Sequence, residues 1–234
     1  MGQKVRPTGF RTGIMMDWSS KWYASKADFS DLLVEDAKIR RFIKKKHASG
    51  GVSKIRIERT REKVVVFIYS SRVGSIIGKK GEKIDKLTRE LEALTHRVIE
   101  VKTMEVNRPE TDPQLVAQDI AEQLQKRVSF RRTMKQAIQK AMENGAKGIR
   151  LQLSGRLGGA EMARCEKTME GSIPLSTLRA KVEYGFAEAA TAQGNIGIKV
   201  WVNNGDYLTP EENDNAANAQ ASKVSKKPTR QGKR

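Results

Sequence analysis

The run Val73–Leu94, VGSIIGKKGEKIDKLTRELEAL, constrains this chain more than any other stretch. At its centre Gly78 and Gly81 bracket Lys79 and Lys80, and an apolar helical pattern follows. Ile84, Leu87, Leu91 and Leu94 are spaced to share one helix face, and Val73, Ile76 and Ile77 supply a short apolar turn ahead of the glycines. The spacing predicts helix, glycine-bounded loop, helix. Glycine lets a backbone pass close to a bulky partner, the free N–H groups of a helix start favour an anion, and two ammonium groups add attraction. A nucleic-acid phosphate meets that description. A nucleotide-binding P-loop does not: only Ser75, Ile76 and Ile77 separate Gly74 from Gly78, and Lys80 stands where a hydroxyl for Mg²⁺ is required. A plain helix–helix turn with solvated lysines competes for the bare motif, so its surroundings decide.

Charge is the first of those surroundings. The 234 residues carry 45 Lys and Arg against 27 Asp and Glu, a net charge of +18. Residues 1–106 hold 24 of the basic and 13 of the acidic side chains, so the excess is heaviest in the half with the glycine loop. A surplus of this size points to a polyanion partner, most simply nucleic acid. The length has room for two ordinary domains. One cysteine, Cys165, rules out an internal disulfide or a cysteine-based zinc site and suits a reducing compartment. No apolar run reaches membrane-span length, the N-terminus lacks a signal-peptide core, and Arg6 stands where a myristoylation signal needs Ser or Thr. The expectation is a soluble, intracellular protein with no membrane contact.

Taken in order, residues 1–16 form a basic arm whose Lys4, Arg6 and Arg11 sit among glycines, with little to pack against by itself. Lys4, Arg6 and Arg11 are candidate RNA contacts if the arm orders on an RNA surface; a disordered terminus is the alternative. A helix is predicted from Phe29, with Ser30 as N-cap, Leu32, Ile39 and Ile43 on one side, and a basic end at Arg40, Arg41, Lys44, Lys45 and Lys46. Lys54–Arg59 and Val64–Tyr69 then read as a hairpin, and Val98–Val106 as a further strand. Across 17–106 the order is helix, strand, strand, helix, glycine loop, helix, strand, which predicts a three-stranded mixed sheet backed by three helices. That is the order of a type II KH domain, an RNA-binding module whose GxxG loop clamps a short run of nucleotides by the backbone. Gly78, Lys79, Lys80 and Gly81 fall at the position it requires.

A second unit, 107–210, begins with a helix start at Thr111-Asp112-Pro113. Its first helix, 113–127, presents Val116, Ile120, Leu124 and Val128; the next, Phe130–Asn144, aligns Phe130, Met134, Ala137, Ile138 and Ala141, with Arg131, Arg132 and Lys135 outward and Gly145 as a stop. Four strands follow: around Ile149–Leu153, Arg164–Ile173, Ala180–Phe186 and Ile196–Val202. Within the third, Ala180, Val182, Tyr184 and Phe186 alternate with Arg179, Lys181 and Glu183. Two helices on one face of a largely antiparallel sheet complete an α+β chain. Gly155, Gly158 and Gly159 serve a tight turn, with a phosphate contact as the alternative. Residues 211–234 read as a disordered basic tail.

No catalytic constellation stands out. His47 and His96 have neither metal-ligand nor nucleophile spacing, Cys165 has no evident base, and Glu161, Glu166 and Glu170 read as a solvated edge. The chemistry on offer is electrostatic and steric; no enzyme activity, metal, cofactor or small-molecule substrate is expected. The competing functions are a free KH regulator or RNA-decay adaptor, and an enzyme such as a lysine-dependent nucleic-acid lyase, which lacks a lysine in a desolvating pocket motif.

The stretches MGQKV with Pro7, GFRTGI, IIGKKGEKI, QLVAQDIAEQLQKRVSFRRTMKQAI, GAKGIRLQLSGRLGGAEMAR, PLSTLRAKVEYGFAEA and GIKVWV span nearly the whole chain, and KRVSFRR and SGRLGGAE among them are far more specific than GxxG. Through them the chain resembles the bacterial small-subunit ribosomal protein S-three family. The resemblance implies a cytoplasmic, ribosome-bound constituent of the small-subunit head. Such a protein binds ribosomal RNA and lines the channel by which messenger RNA enters, helping to guide and unwind it. It implies head neighbours of the S-ten and S-fourteen families, and neighbours of the S-four and S-five families at the channel. The channel residues of the family fall on Arg131, Arg132 and Lys135. The chain departs from the family pattern at Glu166–Gly171, where Glu-Trp-x-Arg-Glu-Gly is usual, and at Ser176 and Ala190, where histidines are common.

Overall fold

The computed structural model describes residues 4–60, 63–78 and 81–207. The tail assigned to 211–234 lies outside the described residues, as do Lys79 and Lys80.

In the first unit α2 (Phe29–Lys46) leads through a 3₁₀ turn to β2 (Val52–Arg59) and β3 (Lys63–Ser70); α3 (Val73–Ile77) and α4 (Glu82–Thr95) then cross over to β4 (Val98–Glu105). β2 and β3 are antiparallel, whereas β3 and β4 are parallel, because two helices intervene. Alternation sends Ile55, Ile57, Val64, Val66, Ile68 and Ile99 to one face, where Ile39 and Ile43 of α2, Ile76 of α3, and Leu87 and Leu91 of α4 cover them. Each such side chain removed from water contributes about 1.5–3 kcal/mol. Leu94, expected on the same stripe, is 45% exposed, at the margin of a last turn whose Leu91 and Thr95 are buried. α2 starts at Phe29 as expected, but its cap lies two residues earlier than expected. Asp28, not Ser30, stands at the N-cap of α2, with Ser25 Oγ donating to its carboxylate.

The expected three-stranded sheet has a fourth member. β1 (Ser20–Lys21) runs parallel to β2, giving the order β1-β2-β3-β4. Two residues are too few to show periodicity; side-chain chemistry holds them instead. Asp36, buried on α2, accepts from Ser20 Oγ at 2.8 Å, Trp22 Nε1 at 2.9 Å and Arg59 Nε at 2.8 Å, while Glu35 takes Arg59 Nη1 at 2.8 Å. Arg40 adds bonds to the Ser19 and Ile55 carbonyls.

In the second unit α5 (Pro113–Gln125) and α6 (Phe130–Glu143) lie on one face of a sheet ordered β6-β5-β8-β7, all antiparallel, from β5 (Gly148–Gly155), β6 (Arg164–Gly171), β7 (Ala180–Thr191) and β8 (Gly194–Asp206). Ile149, Leu151, Leu153, Ile196, Ile198, Val200 and Val202 meet Ile120, Leu124, Met134 and Ile138 in its core. Asp112 caps α5 as its position before proline predicts, accepting from Gln114 N and Leu115 N at 2.9 and 3.1 Å. Leu157–Gly159 forms a 3₁₀ turn with Leu157 buried, and Arg156 donates to the Ala160 and Gln193 carbonyls beside it.

The alternation in β7 works differently from that in its neighbours. Register places Glu183, Gly185, Ala187 and Ala189 opposite the core residues Val202, Val200, Ile198 and Ile196, so the larger Val182, Tyr184 and Phe186 face away from the helices. α5 rests directly on β7: a Cβ at Gly185 would run into the Pro113 carbonyl. Only small residues fit beneath it. Glu183 is the exception on that side, and burial raises its pKa, with Asp112 adding to the rise against the opposing charges of Lys181 and Lys54.

The N-terminal segment packs on the protein itself. α1 (Pro7–Arg11) seats against β7, and Arg11, fully buried, is no candidate for RNA. Its Nε donates to Ala180 O at 2.8 Å, its Nη2 to the carbonyls of Thr177 (2.8 Å), Pro174 (3.2 Å) and Leu175 (3.3 Å), and its Nη1 to Pro7 O at 3.2 Å. The fork of five N–H donors matches a ring of backbone acceptors. The segment thus reaches the second unit through Arg11 and the first through β1. Two further bonds link the units: Ser53 Oγ to the Asp112 carboxylate, and Gln118 Nε2 to Val52 O at 3.4 Å.

Candidate nucleic-acid interface

The glycine loop joins α3 to α4 at the edge of the first unit. Gly78 (φ 74°) and Gly81 (φ 85°) both adopt left-handed backbone, where a Cβ is strained. Gly78 has a second reason to be glycine, since a Cβ there would meet the Lys83 stem. Gly81 is the N-cap of α4 and offers no side-chain cap, so the first-turn N–H groups lack that partner. Lys79 and Lys80, between the two glycines, lie outside the described residues. Around them Arg72, Lys83 and Lys86 are exposed, Lys83 Nζ lying 3.4 Å from Ser75 O. Lys83 and the start of α4 thus stand at the loop, as an anion site requires, with Glu82 and Asp85 also in that first turn.

The basic end of α2 splits into two roles. Arg41, Lys44 and Lys45 are exposed, while Lys46 pairs with Glu90 of α4. His47 follows and is buried; its Nε2 has no partner among the described residues. Burial, reinforced by Lys46 and Lys83 and partly offset by Glu90, lowers its pKa.

On α6, Arg131, Arg132 and Lys135 are all exposed, and none forms an ion pair among the described residues. They do not share one surface. Arg131 and Lys135, one turn apart, line an open cleft of about 770 Å³ whose far wall is Glu166, Thr168 and Glu170 of β6; Arg132 is not part of it. Arg131 also sits 5.7 Å from the Phe130 ring centroid. Of the N-terminal candidates, Lys4 and Arg6 are exposed and Arg11 is internal.

Two family models match the chain: one described as KH domain over residues 38–111, and one described as Ribosomal protein S3, C-terminal domain, over residues 120–202. The small ribosomal subunit protein uS3 of Rhodopirellula baltica is 57% identical over 239 residues, covering the whole of both chains. The chain belongs to the uS3 family. Further members are that of Alkaliphilus oremlandii, 54% identical over 89% of this chain and 88% of its own, and that of Clostridium novyi, 53% identical over 89% and 95%. Family membership identifies the glycine loop as that of a KH domain, and the matched range runs from within α2 to the turn before α5. What motif reasoning missed is the outer face of the second sheet, where Arg150 lies 5.1 Å from the Trp201 ring and Arg6 lies 4.6 Å from Tyr184. Strand register was the signal that could have found it. Among the described residues no helix is long and apolar enough to cross a membrane.

Proposed function

We propose that this chain is a structural constituent of the small ribosomal subunit head, ribosome-bound in the cytoplasm. There it binds ribosomal RNA through its KH loop and other basic surfaces, and it lines the channel by which messenger RNA enters, helping to guide and unwind the message. The observation that carries the ribosomal assignment is the likeness to a uS3 protein from end to end of both chains. For the channel role, the support is that Arg131, Arg132 and Lys135 on α6 are exposed and form no ion pair among the described residues. As solvated surface, each would contribute a few tenths of a kcal/mol to stability; facing RNA, each acts on backbone charge without reading sequence. Head proteins of the S-ten and S-fourteen families, and S-four and S-five proteins at the channel, are the proposed neighbours.

Two measurements test this. Tagged protein should sediment with the small subunit at moderate salt, and recovery wholly in the free fraction would overturn the assignment. Arg131→Ala, Arg132→Ala and Lys135→Ala together should slow translation through a stable messenger hairpin while subunit assembly proceeds. Equal rates through hairpin and unstructured messages would defeat the channel role alone.

A further inference from the structure

Strand register lays out a second basic surface far from the KH loop. On the face of the second sheet opposite α5 and α6, beside the seat of α1 on β7, Met169, Arg150, Trp201 and Tyr184 form one continuous row across β6, β5, β8 and β7, and Lys167, Gln152, Lys199 and Phe186 form the next. Arg6 extends the first row by lying over Tyr184. Tyr184 and Trp201 meet edge to face at 5.3 Å, and Arg150 stacks on the other ring of that pair. The rings are half-buried, with faces held in place by the sheet, while Lys167 and Lys199 are exposed. These two rows contain no carboxylate; Glu188 enters only in the third, with Cys165, Ser154 and Gly197.

We propose that this face is an RNA-binding platform, on which unpaired bases stack on the surface formed by the Trp201 and Tyr184 rings and the guanidiniums of Arg150 and Arg6, while Lys167 and Lys199 hold the backbone. This deepens the RNA-binding role proposed above by assigning it a second site. Flat aromatic faces on adjacent strands suit unstacked bases, and the surrounding cations suit phosphates. A protein partner is the weaker fit: covering the face would strip water from Arg150, Lys167 and Lys199 with no carboxylate in either row to pair them. A polyanion supplies a counter-charge for each.

The test uses the full chain and a fluorescent sixteen-nucleotide oligouridine carrying 4-thiouridine. Ultraviolet cross-linking should place nucleotides on peptides containing Tyr184 and Trp201. Arg150→Gln with Lys167→Gln and Lys199→Gln should weaken binding about tenfold and flatten the log–log salt slope by about 2, with the melting temperature unchanged. Trp201→Leu should weaken binding several-fold, and Trp201→Phe, which keeps a ring, should restore it. Cross-links confined to the KH loop and α6, with full affinity in the triple variant, would overturn the platform and leave RNA binding by the chain intact. Protection of this face by protein alone in the assembled subunit would overturn it too. If the wild-type chain bound no oligonucleotide, the broader RNA-binding role would fall with it.

Discussion

Arg11 shows how one side chain changes role with its surroundings. In sequence it is one of three cations in a glycine-rich arm; in the fold it is internal, its donors directed at the carbonyls of Pro7, Pro174, Leu175, Thr177 and Ala180. Shortening it leaves several acceptors unpaired in a space water cannot easily refill, at about 1–3 kcal/mol for each group left without a partner. We predict that Arg11→Ala lowers stability by about 3 kcal/mol, read as a shift of the urea midpoint, and that Arg11→Lys recovers little because an ammonium cannot match the fork. Arg6→Ala, at an exposed position, should leave the midpoint nearly unchanged. Equal effects for Arg11→Ala and Arg6→Ala would refute the buried role.

At the scale of elements, α5 is the piece on which the second unit is assembled. Asp112 satisfies its first-turn N–H groups, Pro113 fixes the first residue, and Gly185 lets the helix touch β7. The same carboxylate accepts from Ser53 of β2, so the cap also joins the two units. Asp112→Ala should cost about 1–2 kcal/mol, and Asp112→Asn much less, by chemical denaturation. Ser53→Ala in the Asp112→Ala background should add little, since their bond is already gone; fully additive losses would show that the two do not interact. β1 teaches the opposite lesson. It exists because Asp36, Arg40 and Arg59 anchor two residues to the edge of a sheet, and its own sequence carries no strand signal.

At the scale of the whole molecule the governing quantity is the +18 charge. Among the described residues its exposed members are spread over the elements beside the KH loop, the end of α2, α6 and the outer face of the second sheet, so RNA should meet the protein at several places. Each phosphate neutralised releases counterions, and affinity then falls steeply with salt. Binding of a ribosomal RNA fragment should weaken at least about a hundredfold between 50 and 200 mM salt, followed by fluorescence anisotropy. Affinity held constant into molar salt would rule out an electrostatic interface.

Much of this was legible without coordinates. The apolar spacing of α4 and α6, the Asp112-Pro113 start of α5, the alternation of β5 and β8 and the paired glycines are local patterns, and local patterns carry their own periodicity. The order of elements with a GxxG loop between two helices was enough to indicate a KH unit. Three features besides β1 needed the fold. Arg11 turned inward because carbonyls distant in sequence converge on it; Tyr184 and Phe186 turned outward because α5 lies close over β7; and Trp201 meets Arg150 and Tyr184 only through strand register. Periodicity tells which residues share a face of one element, whereas which neighbour covers that face is settled by packing between elements far apart in the chain.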